Sequence, residues 1–192
     1  PGHDFELAAG FCLAEGVLAQ QPIVAIRYCG TGTAAETDFN VVTVDTGGRA
    51  PEPTPRLGLT SSSCGWCGSD QLDELADRLA PLVGHEHIDV GVLAGMPDRV
   101  RDHQQLFAHT GAVHAAAAFD RDGEVRLIRE DVGRHNAVDK VVGSLVLVGS
   151  LPAGDLGLFV SGRASVEMVV TAWSAGFGSM VAVSAPTALA VQ

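Results

Sequence analysis

No apolar run in the 192 residues approaches the length a bilayer demands, and the first residues lack the charged-then-apolar pattern of an export signal. A soluble, cytoplasmic protein is the expectation. Basic residues are scarce: 12 Lys and Arg stand against 23 Asp and Glu, a formal net charge of -11. That balance opposes general attraction to nucleic-acid phosphates or anionic membranes, so an anionic ligand has to be held by a local cluster. Cysteine is scarce as well. Four in this length do not form the framework of a secreted disulfide scaffold, and Cys12 and Cys29 lie in apolar segments where they read as small buried hydrophobes. Several catalytic signatures are missing. His85-Glu86-His87 does not have H-E-x-x-H spacing, and no G-x-S-x-G surrounds a serine. The run Gly30-Thr31-Gly32-Thr33-Ala34-Ala35 imitates a dinucleotide fingerprint, but strand character resumes by Phe39 and leaves too little chain for the helix such a site needs.

Among the features present, Cys64-Gly65-Trp66-Cys67 carries the most information. Two thiols separated by two residues face one point, and a following helix lends its N-terminal partial positive charge to a thiolate. Leu72, Leu75, Ala76, Leu79, Leu82 and Val83 recur at helical spacing behind acidic Asp70, Asp73 and Glu74, which predicts that helix. The pair means sulfur chemistry or a metal. A zinc site needs two more ligands; there is no second C-x-x-C, and His85 and His87 are only two positions apart. Zinc deaminases join a C-x-x-C to an upstream H-x-E, whereas His114-Ala115-Ala116 has no Glu and follows the cysteines. Thioredoxin-like exchange is the better rival, although Pro51, Pro53 and Pro55, not a strand, precede the pair.

With 46% apolar residues the chain can bury one ordinary core. A first helix is expected from Phe5 to Glu15, strands over Ile23–Cys29 and Phe39–Val44, and an exposed proline-rich connection over 47–58. Ile88 to Leu93 is an apolar alternation, and Pro97-Asp98 reads as the start of a helix that runs to His109 and stops at Gly111. Val113–Phe119 and Val125–Ile128 flank an Asp120-Arg121-Asp122-Gly123 turn, a hairpin. Helical segments near 135–148 and 165–175 then alternate with strands over Leu158–Ser161 and Met180–Ser184, as parallel units do. The expected fold is α/β, a single domain with a mixed sheet flanked by helices. Pro1 without Met and Gln192 within a helix suggest that 1–192 lacks native terminal segments.

Polar residues gather where strands hand over to helices. Arg129-Glu130-Asp131-Val132-Gly133-Arg134-His135-Asn136-Ala137-Val138-Asp139-Lys140 is the densest group. Val138, Val141, Val142, Leu145 and Val146 make its buried stripe, which leaves His135 with Asp139 and Asn136 with Lys140 as polar i,i+4 pairs. The group reads either as a solvated face or as an anion cradle, with Asp131 orienting His135 or capping the helix. Ser161-Gly162-Arg163-Ala164-Ser165 brings two hydroxyls and a guanidinium to another helix start, which suits phosphate. Ser184-Ala185-Pro186-Thr187 repeats the arrangement with Ser184 as a candidate cap. His114 opens a small-residue strand, either structural or facing the thiols.

Together these residues resemble the FdhD family, the formate dehydrogenase accessory sulfurtransferases. The match runs through Gly2-His3-Asp4-Phe5-Glu6-Leu7-Ala8-Ala9-Gly10-Phe11, Ser62-Ser63-Cys64-Gly65-Trp66-Cys67-Gly68, the Arg129 to Lys140 string, and Ser161 to Ser165 with Glu167-Met168. The resemblance implies a cytidine deaminase-like core without zinc chemistry, and a homodimer. It also implies a carrier that takes sulfur from a cysteine desulfurase as a cysteine persulfide. That sulfur is passed to molybdenum in a bis-guanine-dinucleotide pterin cofactor destined for formate dehydrogenase. Cys64 and Cys67 map onto the family's C-x-x-C, Cys64 as main carrier and Cys67 as relay or second carrier. Arg134, His135, Asn136, Lys140, Ser161, Arg163, Ser165 and His114 are the candidates for holding the cofactor, with no resident metal, nucleic acid or membrane partner expected. The alternatives are a cofactor-binding chaperone without transfer, and a thiol-disulfide oxidoreductase.

Overall fold

A computed structural model describes residues 2–18, 20–29, 41–51, 79, 81–82 and 87–192. Cys64, Cys67, the 30–35 run, His85 and most of the helix expected after the cysteines lie outside the described residues.

Strict alternation in His114–Phe119 (β3) sets the architecture. Ala116 and Ala118 point to one face of the sheet, and Ala117 and Phe119 to the other. Both faces are buried, so apolar residues run continuously. β3 pairs antiparallel with Val125–Asp131 (β4) and with Gly157–Arg163 (β5), and β5 pairs parallel with Ser179–Ser184 (β6), giving the order β4-β3-β5-β6. The sheet is therefore mixed and flanked by helices, as expected. Ala25–Tyr28 (β1) and Val42–Asp45 (β2) form a separate antiparallel pair.

Asp4–Ala14 (α1), Arg134–Leu147 (α4) and Val166–Ser174 (α5) lie on the face of Ala116 and Ala118. Val138, Val141, Val142, Leu158, Val160 and Met168 fill that side. Each such side chain contributes roughly 1.5 to 3 kcal/mol on burial. Val90–Arg101 (α2) covers the opposite face with Met96 and Val100 against Phe119 and Phe159. A short helix, Gln105–Thr110 (α3), follows, and Ala188–Val191 (α6) closes the described chain.

Two local expectations change. The helix expected from Pro97 begins at Val90 instead, where the Asp89 carboxylate accepts from Gly91 N–H at 2.7 Å, and it absorbs part of the 88–93 apolar alternation. It ends at Arg101, and α3 is a separate element whose N-terminal amides are held from a distance: Glu130 on β4 accepts from Leu106 and Phe107 N–H at 2.7 and 2.8 Å. Gly111 ends α3 in a left-handed conformation, φ 61°, as its position predicts. The α6 cap is Thr187, whose hydroxyl accepts from Ala190 N–H at 3.3 Å, while Ser184 is consumed as the last residue of β6.

The polar face expected on α4 is solvated only at its start, where Asn136 is exposed. Asp139 and Lys140 are 8% and 1% exposed, because α1 packs across the helix at that level. Burial, and then the neighbouring Glu15 charge, pushes the Asp139 carboxyl up to about 7. A carboxyl with a raised folded pKa stabilises the fold below its unfolded pKa near 4, and that contribution is lost as pH rises through about 7. Asp139→Asn is thus expected to raise the urea midpoint at pH 8 relative to the parent and to flatten its decline between pH 5 and 8. Equal midpoints for the two proteins at pH 8 would contradict this.

Candidate functional site at the meeting of two helix starts

The ends of β4 and β5 release the chain into α4 and α5 beside the start of β3, so residues far apart in sequence converge there. Asp131, opposite His114 in the β3–β4 register, organises the first handover. One of its oxygens accepts from Gly133 N–H at 2.8 Å and Asn136 Nδ2 at 3.1 Å, and the other from Lys140 Nζ at 2.5 Å. It neither orients His135 nor serves as the N-cap, which is Gly133. Lys140 and Asn136, expected among the anion ligands, are instead partners of this carboxylate. The residues on either side of Asp131 are engaged too. Arg129 donates to Glu6 of α1 through Nη2 at 2.7 Å and through Nε, and Glu130 holds α3. Burial alone raises the Glu6 carboxyl, but hydrogen bonding and charge from Arg129 outweigh it and the net shift is down.

Ser161 belongs to β5 and not to a loop beyond it, because the strand continues to Arg163. Its hydroxyl accepts from Ala115 N–H at 2.9 Å and lies 3.3 Å from His114 Nδ1. Gly162 then runs beneath Arg134: a Cβ there would stand 3.6 Å from Arg134 Cδ and 3.8 Å from His114 Nδ1. Arg163 pairs with Ser184 in the parallel register and is exposed. His114, Ser161, Gly162 and Arg134 are thereby brought together.

Ser165 is the N-cap of α5 and 8% exposed, yet its hydroxyl makes no capping bond. Arg134 Nε, His135 Nε2, Ser165 Oγ and Glu167 Oε2 are all buried without a hydrogen-bond partner. Buried polar atoms normally find partners, so four orphans at neighbouring helix starts make this junction the candidate ligand position. His135 is held below the usual imidazole pKa, first by burial and then by the Arg134 charge, with His114 adding and Glu167 opposing. It is neutral at pH 7. Partial positive charge from the α4 and α5 N-termini makes the junction receptive to an anionic group despite the acidic whole.

Arg134, His135, Ser161, Ser165 and His114 thus lie at one junction, with Arg163 at its strand end. Glu167 was visible in the sequence only as a neighbour of the Ser161–Ser165 block. Its signal is its position: two residues after the Ser165 N-cap it cannot close a capping box, which places the acidic residue three after the cap. Among the described residues no group of three or more His, Cys, Asp or Glu side chains is placed to hold a metal, and no helix is long and apolar enough to cross a membrane. Cys12 and Cys29 are half-buried instead of fully so, and burial raises the Cys12 thiol pKa.

The model of the FdhD/NarQ family matches residues 1–192. A Streptomyces coelicolor protein named sulfur carrier protein FdhD is 47% identical over 200 residues, covering 100% of this chain and 71% of its own length. A Mycobacterium bovis protein of the same name is 44% identical over 203 residues, covering 100% and 73%. The crystal structure of a protein described as a formate dehydrogenase accessory protein, from Desulfotalea psychrophila, superposes with a TM-score of 0.71 at 23% identity over 100% of this chain and 69% of that one. That likeness is one of fold.

Proposed function

The chain belongs to the FdhD/NarQ family, and on that premise we propose that it is a sulfur carrier in formate dehydrogenase maturation. Cys64 accepts sulfur as a persulfide from a cysteine desulfurase, with Cys67 as relay. Its thiolate attacks the terminal sulfur of the donor persulfide, the donor S–S bond breaks, and the donor cysteine leaves as thiolate. The terminal sulfur of the new persulfide later passes, at the sulfane level, to molybdenum of a bis-guanine-dinucleotide pterin, the substrate: the carrier's S–S bond breaks, its cysteine sulfur departs as thiolate, and the two electrons that make the transferred sulfur a sulfido ligand come from a reduced, Mo(IV) form of that substrate, which is oxidised to Mo(VI). A homodimer that docks the desulfurase and formate dehydrogenase in turn is part of this reading.

The observation that supports it is the group of buried, unpartnered atoms on Arg134, His135, Ser165 and Glu167. Arg134 and the α5 start supply donors for a phosphate oxygen, and neutral His135 can donate without adding charge. Incubation with a cysteine desulfurase and cysteine is expected to add the mass of one sulfur atom to Cys64 or Cys67, located by peptide mass spectrometry. Cys64→Ser with Cys67→Ser is expected to abolish both the adduct and formate dehydrogenase maturation in cells. Maturation that survives the double substitution would leave a binding-only chaperone as the better account.

A further inference from the structure

α5 carries two apolar stripes. Met168 and Ala172 face the core, whereas Val166 and Val170, one turn apart and each 6% exposed, form a separate cluster against which Leu79 and Leu189 pack. Leu189 reaches them locally: it lies in α6, just beyond β6, and Thr187 N–H donates to the Ala164 carbonyl at 2.9 Å, which ties the α6 start to the β5–α5 handover. Leu79 comes from elsewhere. It is the first described residue after Cys64 and Cys67 and stands twelve positions beyond Cys67. Nine positions further on, Ile88 already packs on the α2 side of the sheet with Met96 and Phe119. The chain that carries both thiols therefore passes the first turn of α5 before it reaches α2, and Leu79 holds it there.

The contact adjoins the candidate ligand position: Val166 directly follows Ser165, whose buried hydroxyl is unpartnered at the N-cap of α5. Twelve residues span at most about 43 Å even when fully extended, and a shorter span between two reacting partners raises their effective concentration. The next residue of the described core clusters is Ile88, twenty-one positions from Cys67 and on the other face of the sheet. Leu79 is thus the point from which the thiols stay near the α5 start. Resting on the reading that sulfur leaves Cys64 or Cys67 for an acceptor at this junction, we propose that Leu79 is a positioning residue for the transfer: seated on Val166 and Val170, it anchors the cysteine-bearing stretch beside the α5 start. Delivery to an acceptor held at that helix start then depends on the anchor. Loading does not, because a donor protein needs only access to the thiols.

Thiol alkylation on the full chain tests this, with inorganic pyrophosphate as the anionic probe. An anion held beside the thiols disfavours their charged, reactive form. Iodoacetamide rates at Cys64 and Cys67, followed by peptide mass spectrometry, are expected to fall about threefold to tenfold when pyrophosphate saturates the parent. Cys29, beside the separate β1–β2 pair, is the internal control and is expected to react at an unchanged rate. In Leu79→Ser the protection is expected to vanish while pyrophosphate binding and persulfide loading by a desulfurase are retained, and formate dehydrogenase maturation in cells is expected to drop about tenfold or more. Leu79→Met, similar in volume, is expected to restore protection and maturation. Val170→Ala removes the seat, leaves Leu79 in place and is expected to give the same split, which covers the case of Leu79→Ser failing to fold. Loss of loading together with delivery in both variants marks a merely structural contact and overturns the proposal. So does protection that persists in both, or a parent that binds pyrophosphate with no change at either cysteine. A parent that does not bind pyrophosphate instead removes the anion position from the α5 start, and the proposal falls with the reading it rests on.

Discussion

Replacing Gly143 by alanine is expected to cost about 3 kcal/mol or more, although Gly to Ala in an open helix gains about 1 kcal/mol. The sign reverses because α1 and α4 touch backbone to backbone. A Cβ on Gly143 would lie 1.7 Å from the Glu6 carbonyl oxygen and 2.7 Å from Gly10 N, and one on Gly10 would lie 1.9 Å from the Asp139 carbonyl oxygen. None of these atoms is the tip of a side chain that can swing away. Relief requires the helices to part, which opens voids around Leu13 and Val142 and draws Glu6 from Arg129. Gly95 is the internal control. Also helical, it has only Arg99 Nε within reach, 3.8 Å from where a Cβ would stand, so Gly95→Ala is expected to be neutral or stabilising. Urea midpoints at unchanged slope compare the two. If Gly143→Ala melts with the parent, the helices do not cross as closely as described.

That crossing also shows where sequence reading stops. α4 and α5 were legible because their apolar residues repeat near a period of 3.6, and the β3–β4 hairpin because a continuous apolar run of strand length leads into the Asp120–Gly123 turn. Gly10 and Gly143 read only as weak points in helices, since their purpose lies in a partner more than a hundred residues away. Pro97 misled for a related reason: proline favours a helix start, yet burial of Met96 and Val100 against Phe119 carries α2 straight through it. Glu130 looked like one more charge in a polar string, and only the fold brings it to the α3 amides.

The site divides in the same way. Strand-to-helix handovers rich in Ser, Arg and His made these residues candidates for an anion position, and the structure brings Arg134, His135, Ser161, Ser165 and His114 to one junction. Which members of a polar string are free for a ligand is not a local property. Asp131 takes Asn136 and Lys140 out of circulation, whereas Ser165 and Glu167 remain unpaired.

Breaking the Asp131–Lys140 pair is the second large effect expected. Lys140 is 1% exposed and Asp131 8%, so Lys140→Met takes the ammonium partner away from a buried carboxylate, a change that costs roughly 3 to 5 kcal/mol. Changing Asp131 to Asn in the same protein removes the stranded charge while an amide oxygen can still accept from Gly133 N–H. The double variant is therefore expected to regain most of the loss, which a mere packing defect at position 140 would not allow. Acid titration separates the cases further. Burial by itself raises the Asp131 carboxyl, but hydrogen bonds from Lys140 and Gly133, with the Lys140 charge, outweigh it and hold the group below its usual value. The pair's contribution is accordingly complete above the unfolded carboxyl pKa of about 4 and is lost as pH falls through the lower folded value. Without Lys140 the Gly133 and Asn136 hydrogen bonds still oppose burial but the lysine's hydrogen bond and charge are gone, so the folded pKa moves up and protonation relieves more of the deficit. Between pH 7 and about pH 4 the deficit of Lys140→Met relative to the parent is expected to shrink, whereas for the double variant it stays nearly constant. A deficit that holds constant with pH in the single variant would mean that Lys140 acts through its packing and not through its charge.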